Sequence, residues 1–215
     1  MTNNLKFGLA LAFLLFASLS LPASAQYIIS DTTINTNVGG VAIGLDASGA
    51  TYSPIVDIVP GGQLGFSSVY GGSVVNNIGG LVGQVFAYDQ SVINLYTGVA
   101  DFIVISNDAQ LNVYGDYSFA GDAYANLYAS ENGVINFFGT DLSIDNPQVA
   151  SDYTMYDLHG ALFNGVSLEG GTVFLKDNAR VAFNIVPESS GMIPGAVFGI
   201  FATIGLGWRR QKRER

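Results

Sequence analysis

Apolar and polar positions alternate along this chain in short bursts rather than at helical spacing. From residue 26 onward the bursts are rich in Val, Ile, Tyr and Phe. They include Tyr27–Ile29, Val41–Leu45, Ile55–Val59, Val74–Ile78, Val92–Tyr96, Phe102–Ile105, Leu111–Tyr114, Val134–Phe138, Val173–Leu175 and Val181–Ile185. Residues of this kind at period two are the pattern of strands with one buried face. Gly-Gly pairs at 39–40, 61–62, 71–72, 79–80 and 170–171 punctuate the runs, at places where the backbone can turn with positive φ. No stretch of the body has a helix-period apolar stripe. The expectation is an all-β domain.

The bursts also repeat. Ser73-Val74-Val75-Asn76-Asn77-Ile78-Gly79-Gly80 lies over Ser91-Val92-Ile93-Asn94-Leu95-Tyr96-Thr97-Gly98, and both lie over Ala109-Gln110-Leu111-Asn112-Val113-Tyr114-Gly115-Asp116, at an offset of 18 residues. A related phrase, Ile135-Asn136-Phe137-Phe138-Gly139, returns 24 residues after the third. Strands and turns repeating near every twenty residues predict stacked coils, a right-handed parallel β-helix or β-solenoid-like body. The alternative is an antiparallel β-sandwich, which also has many short strands and frequent turns. In the stacked register Val75, Ile93, Leu111 and Ile135 face inward, joined by Leu95, Val113 and Phe137. Asn94, Asn112 and Asn136 then line an outer stripe with Tyr96, Tyr114 and Phe138; an Asn stack inside the coils is the other option. Asn77 falls on the inward side. Residues 140–168 lose the alternation and are expected to be a long loop or irregular coil. Gly170 to Ile185 is expected to hold the last two strands.

The two ends follow different rules. Lys6, an apolar core from Leu9 to Leu21 and the small residues Ala23 and Ala25 before Gln26 make a secretory signal peptide over 1–25, with signal peptidase as the expected partner. At the other end no charge falls between Glu188 and Arg209. A helix over about 191–208, at about 1.5 Å per residue, is close to the thickness of a bilayer core. Trp208 marks the interface, and Arg209, Arg210, Lys212, Arg213 and Arg215 bias the end to the cytoplasmic side. One reading is a plain membrane anchor. The other is a resemblance: Val186-Pro187-Glu188, a small-residue-rich apolar segment and an Arg-rich end resemble the PEP-CTERM sorting signal, with Ser189 where that family usually has a second Pro. The resemblance covers 186–215. It implies recognition by an exosortase-type membrane enzyme, an inner-membrane-anchored precursor, and delivery to the cell surface or an extracellular matrix of exopolysaccharide, as in biofilms.

Between these ends lies a body of 26–185. It has two cations, Lys176 and Arg180, against fifteen carboxylates, hence a net charge of −13. Nucleic-acid binding needs a basic footprint, which is absent. There is no cysteine, so backbone pairing and packing must hold the fold.

Chemistry is sparse. His159 is the one histidine, and a site built on it with Asp157 or Asp152 is the only conceivable triad; a surface histidine is the simpler reading. No residue is assigned as catalytic. Two carboxylates for glycoside hydrolysis arise easily by chance among fifteen. Asp89, Asp108, Asp116, Asp122, Glu131 and Asp141 cluster near the turns, where structural Ca²⁺ is conceivable although no calcium-loop motif is present. No cofactor or metal is otherwise expected. The Asn/aromatic stripe of Asn94, Tyr96, Asn112, Tyr114, Asn136 and Phe138 is the candidate for exopolysaccharide contact. The expected function is thus a non-enzymatic, exported surface or matrix protein. The alternatives are a carbohydrate-active enzyme of the parallel β-helix type and a membrane-anchored adhesin.

Overall fold

The computed structural model describes residues 26–115, 117–119, 126–150, 152–163, 165–169 and 171–185. Among them there is no helix. The fold is all-β, one sheet of 16 strands. The expected signal peptide (1–25), sorting segment (186–215) and apolar helix (191–208) lie outside the described residues. Within the described residues no helix is long and apolar enough to cross a membrane.

Three rows of strands build the sheet. Row one contains β2 (Thr32–Ile34), β5 (Ile55–Ile58), the start of β8 (Val74–Ala87), the start of β9 (Val92–Ile105), β10 (Gln110–Val113), the start of β13 (Val134–Ala150) and β16 (Arg180–Ile185), each parallel to the next. Row two runs through β3 (Asn37–Val38), β6 (Gln63–Leu64), the middles of β8 and β9, and β11 (Tyr117–Phe119). Row three contains β1 (Gln26–Ile28), β4 (Val41–Ile43), β7 (Ser67–Val69), the ends of β8 and β9, β12 (Asn126–Ala129) and β15 (Thr172–Leu175). β8 and β9 are long because each runs through all three rows without a break. β14 (Tyr153–Leu162) is the exception in direction: it lies antiparallel to β13 and to β15. Through it the pairing β9–β10–β13–β14–β15–β12 closes back on β9, a ring of six strands.

The register follows the repeat. Val75, Ile93, Leu111 and Ile135 are successive partners, at offsets of 18, 18 and 24. All are almost fully buried, as are Leu95, Val113 and Phe137. From row three Ile43, Val69, Ala87, Ile105 and Ala129 meet them in one continuous core. Burying side chains of the larger kinds contributes about 1.5–3 kcal/mol each. Parallel pairing repeats the gain from strand to strand, because each inward residue lies beside a like residue of the neighbouring strand.

The structure departs from expectation at two places. Residues 140–168 are not a loop: β13 continues to Ala150 and forms a hairpin with β14. Register shifts between Thr140 and Ser143, and between Asp145 and Gln148, break the period-two pattern that would have revealed it. Pro147 lies within the second shift, where a ladder hydrogen bond is already missing. The second departure is at Ile78, which pairs with Thr97 and not with Tyr96. Tyr96 is an extra residue on its strand, and the Gly79-Gly80 corner restores the offset of 18 at Leu81 and Val99. Inside that corner the buried Asn77 closes its own turn: its Oδ1 accepts from Gly80 N at 2.9 Å and its Nδ2 donates to Gly80 O at 3.2 Å. Gly98, with φ of 118°, lies over the same corner, and a Cβ there would strike Gly80 O and the Asn77 amide.

Candidate functional site

The predicted stripe comes together on the outer face of row one. Asp57, Asn76, Asn94, Asn112 and Asn136 are successive partners in the register. Each amide donates from Nδ2 to the Oδ1 of the residue before it: Asn76 to Asp57 at 2.7 Å, then Asn94 to Asn76, Asn112 to Asn94 and Asn136 to Asn112 at 2.8 Å each. All four bonds point the same way and end on a carboxylate. Aligned amide dipoles polarise one another, and the bond to the anion is the strong end of the chain. Asn94 is only 9% exposed, so these amides chiefly serve one another.

Beside them the rings stack. Tyr96 and Tyr114 are 4.8 Å apart at 8°, and Tyr114 and Phe138 are 4.4 Å apart at 21°. Burial, with Tyr96 alongside, pushes the Tyr114 hydroxyl up to about 12, so it stays neutral. Tyr96 is raised as well, by burial first and then by the charge of Asp57. Sugar rings dock on the faces of aromatic rings. Here both faces of Tyr114 are turned to its two neighbours, while Tyr96 and Phe138 each turn one face to it.

A second aromatic file escaped the sequence reading. On row three Phe66, Phe86, Phe102, Tyr128 and Phe174 follow one another at centroid distances of 5.4, 5.9, 5.2 and 4.4 Å. Tyr70 and Tyr88 stack at 5.1 Å nearby. Only Tyr70 and Tyr88, 18 residues apart, follow the repeat; the members of the longer file fall off its offsets, and in the register Tyr128 meets Val104, so the repeat did not reveal that file.

Row three passes to row one through one turn, used five times: Tyr70–Ser73, Tyr88–Ser91, Ser106–Ala109, Ser130–Gly133 and Lys176–Ala179. In each, the fourth N–H donates to the first carbonyl, at 2.9–3.3 Å. The second residue has positive φ every time: Gly71 at 62°, Asp89 at 59°, Asn107 at 55°, Glu131 at 56° and Asp177 at 58°. Asn and Asp tolerate this conformation well; Glu131 is the unusual one. The stacked turns form a groove of about 680 Å³ lined by the carboxylates of Asp89, Asp108, Glu131 and Asp177 and the amides of Gln90, Asn107, Asn132 and Asn178. Asn107 links the levels: its Nδ2 donates to Asp89 Oδ1 at 3.3 Å, and its N–H to Glu131 Oε2 at 2.9 Å.

For calcium, the expected turn acids are split. Asp89, Asp108 and Glu131 share the groove, Asp141 lies in β13, and Asp116 and Asp122 lie outside the described residues. Among the described residues no group of three or more acids or histidines converges on one point suited to an ion.

His159 does not pair with Asp157 or Asp152. Its Nε2 lies 2.9 Å from Asp145 Oδ1 and its Nδ1 2.9 Å from Glu169 Oε2. Hydrogen bonds to Asp145 first, and then to Glu169, raise the His159 pKa above its usual 6.5. Glu169 is lowered by the same contact and by Gly160 N–H. Asp157 instead accepts from Asn146 Nδ2 at 2.8 Å. The histidine clasps three segments: β13, β14 and the connection into β15.

Of the terminal residues singled out by sequence, Gln26 opens β1 and donates its N–H to Gly40 O at 3.2 Å. Ala23, Ala25, Val186, Pro187, Glu188, Arg209, Arg210, Lys212, Arg213 and Arg215 lie outside the described residues. No protein-family model, no curated protein and no solved structure matches the chain.

Proposed function

We propose that the chain is an exported, non-enzymatic protein of the cell surface or extracellular matrix, with a right-handed β-solenoid body. An exosortase-type system sorts it through residues 186–215, and it associates with exopolysaccharide. The observation that carries this reading is the continuous amide ladder from Asp57 to Asn136, in register with the stacked rings. Side chains repeated in this way stiffen a stack along its axis. Parallel pairing at offsets of 18 and 24 supports stacked coils over an antiparallel sandwich. An acidic, parallel-paired body without disulfides suits a structural role outside the cell. Export itself rests on the sequence of the two ends.

Two faces compete for the polysaccharide. The Tyr96–Tyr114–Phe138 file offers aromatic rings, and the groove at the turns offers carboxylates and amides to neutral or cationic sugars. Pull-down on the host's own polysaccharide separates them. Loss of retention with Tyr96→Ala plus Tyr114→Ala assigns the stripe. Loss with Asn107→Ala plus Asn132→Ala assigns the groove. Retention in both variants removes the polysaccharide reading. For sorting, the test is mass spectrometry of both termini in membrane, surface and medium fractions. A mature chain from Gln26 to near Pro187 is expected. A chain that still carries Trp208 and the Arg cluster makes the tail an anchor and brings the adhesin forward.

A further inference from the structure

Row one has an edge at each end of the stack. In the pairing of the described strands, β2 bonds only to β5, and β16 bonds only to β13. We propose that these edges meet: β16 of one molecule pairs in parallel with β2 of a second copy of this chain, head to tail. The inference goes beyond the export reading and uses it only for the crowding that a surface provides.

The register makes the contact specific. Ile55, Val74, Val92, Gln110, Val134 and Arg180 are successive partners, and Thr32 pairs with Val56, so Asp31 stands level with Ile55. The Asp31 carboxylate indeed accepts the Ile55 N–H at 2.8 Å. Adding one further coil from a second copy places its Asp31 beside Arg180, its Thr32 on Val181, its Thr33 on Ala182 and its Ile34 on Phe183. The charges are opposite at the one ladder position where both are charged. Of the inward side chains, Ile34 meets Phe183 and Thr32 meets Val181; Val181 and Phe183 pack against the core and are only partly covered.

Charge is polarised along the stack in the same sense. Both cations of the body, Lys176 and Arg180, lie in the last coil with Asp177 between them, whereas the first coils carry Asp31, Asp46 and Asp57 and no cation. Arg180 is exposed, and no described carboxylate forms an ion pair with it. At the same end β14 covers β15 of row three. The contact is therefore confined to row one, which makes it weak in dilute solution and favoured where copies are concentrated. A head-to-tail contact of this kind does not close on itself and produces chains.

The chain lacks cysteine, which makes crosslinking decisive. Within one molecule residues 33 and 182 are six strand spacings apart, about 29 Å, far beyond disulfide reach. In the proposed contact they are neighbours. Full-length Thr33→Cys and Ala182→Cys chains are oxidised separately and mixed, at the highest soluble concentration. Disulfide dimers are expected in the mixture and not in either sample alone, and a chain carrying both changes is expected to give a series of dimers, trimers and longer species. No crosslink in the mixture overturns the proposal. Efficient crosslinking of Ala182→Cys with itself also overturns it, in favour of a two-fold edge contact. On the cysteine background, Arg180→Glu is expected to lower the yield about two- to fivefold, with recovery when the partner carries Asp31→Arg; an unchanged yield overturns the register. Sedimentation of the unmodified chain is the independent check: its mass rises with concentration, and a monomer throughout refutes the contact. The intact mass of each sample reports the termini, so failure of the contact is distinguishable from failure of the export reading.

Discussion

The parallel strands from Ile55 to Phe137 and the hairpin from Gly139 to Leu162 are made of the same kind of strand, yet they are held in opposite ways. In the parallel rows a residue meets its like from the neighbouring strand: Leu95 meets Val113, Asn94 meets Asn112, and Tyr96 stacks on Tyr114. Polar groups are satisfied along the stack and apolar groups across it. In the hairpin the register slips twice, and no ladder of like residues spans it. Individual contacts take over: His159 between Asp145 and Glu169, and Asn146 on Asp157. A repeat spreads the consequence of each residue over its neighbours. An irregular hairpin concentrates it in a few charged contacts at the surface, where solvent weakens them.

This contrast is testable from the largest effect downward. Phe137→Ala, in the buried file of the parallel rows, is expected to cost about 3–5 kcal/mol, read as a fall in denaturation midpoint. If the hairpin variants below cost as much, the contrast fails. Gly98→Ala is next. A methyl at φ of 118°, pressed against Gly80 O and the Asn77 amide, is expected to destabilise the Gly79-Gly80 corner by about 1–3 kcal/mol, with loss of hydrogen-exchange protection there first.

Asn94→Leu is expected to cost about 1–3 kcal/mol, because it leaves the Asn76 acceptor and the Asn112 donor without their partner in a half-buried ladder. The same change at Asn112 tests directionality. If the two costs add in the double variant, the amides act independently and the ladder is not cooperative.

In the hairpin the expected effects are smaller and depend on pH. The His159 pKa is raised in the folded chain, so its contribution is full below the unfolded value near 6.5 and fades as pH rises through the folded value. Glu169 is lowered, so its contribution holds above its unfolded value near 4.5 and is lost as pH falls through the folded one. The clasp is therefore tightest between about 4.5 and 6.5, where both partners are charged. His159→Gln is expected to flatten this dependence in a melting-temperature series that runs from below about 4.5 to above about 6.5, the fall at each end being reduced; an unchanged profile removes the clasp. At the bottom of the scale Val149→Ser, at a side chain 82% exposed, is expected to shift stability by less than about 0.5 kcal/mol.

Legibility follows the same division. The 18-residue offset, read from Asn76, Asn94 and Asn112, is the offset at which these residues pair. The inward set from Val75 to Phe137 was readable because period-two alternation and the repeat agree there. The hairpin was not readable: a bulge moves later side chains to the other face, so alternation vanishes although strands remain. The extra residue Tyr96 was hidden for a related reason, since Gly79 and Gly80 compensate for it only in the partner strand.

By itself, then, the sequence determined the all-β class, the repeat, the core-facing set and the acidic balance of the body. These are properties of composition and period, which each short segment carries locally. The tertiary structure alone decided that the amides bond to one another, that the rings of distant segments stack, that four of the five turns merge into one groove, and that His159 selects Asp145 and Glu169. Those outcomes depend on which residues of distant turns come within about 3 to 5 Å of each other, where hydrogen bonds and ring stacking operate. A period states that like residues stack; only the completed stack shows which atoms remain turned to solvent.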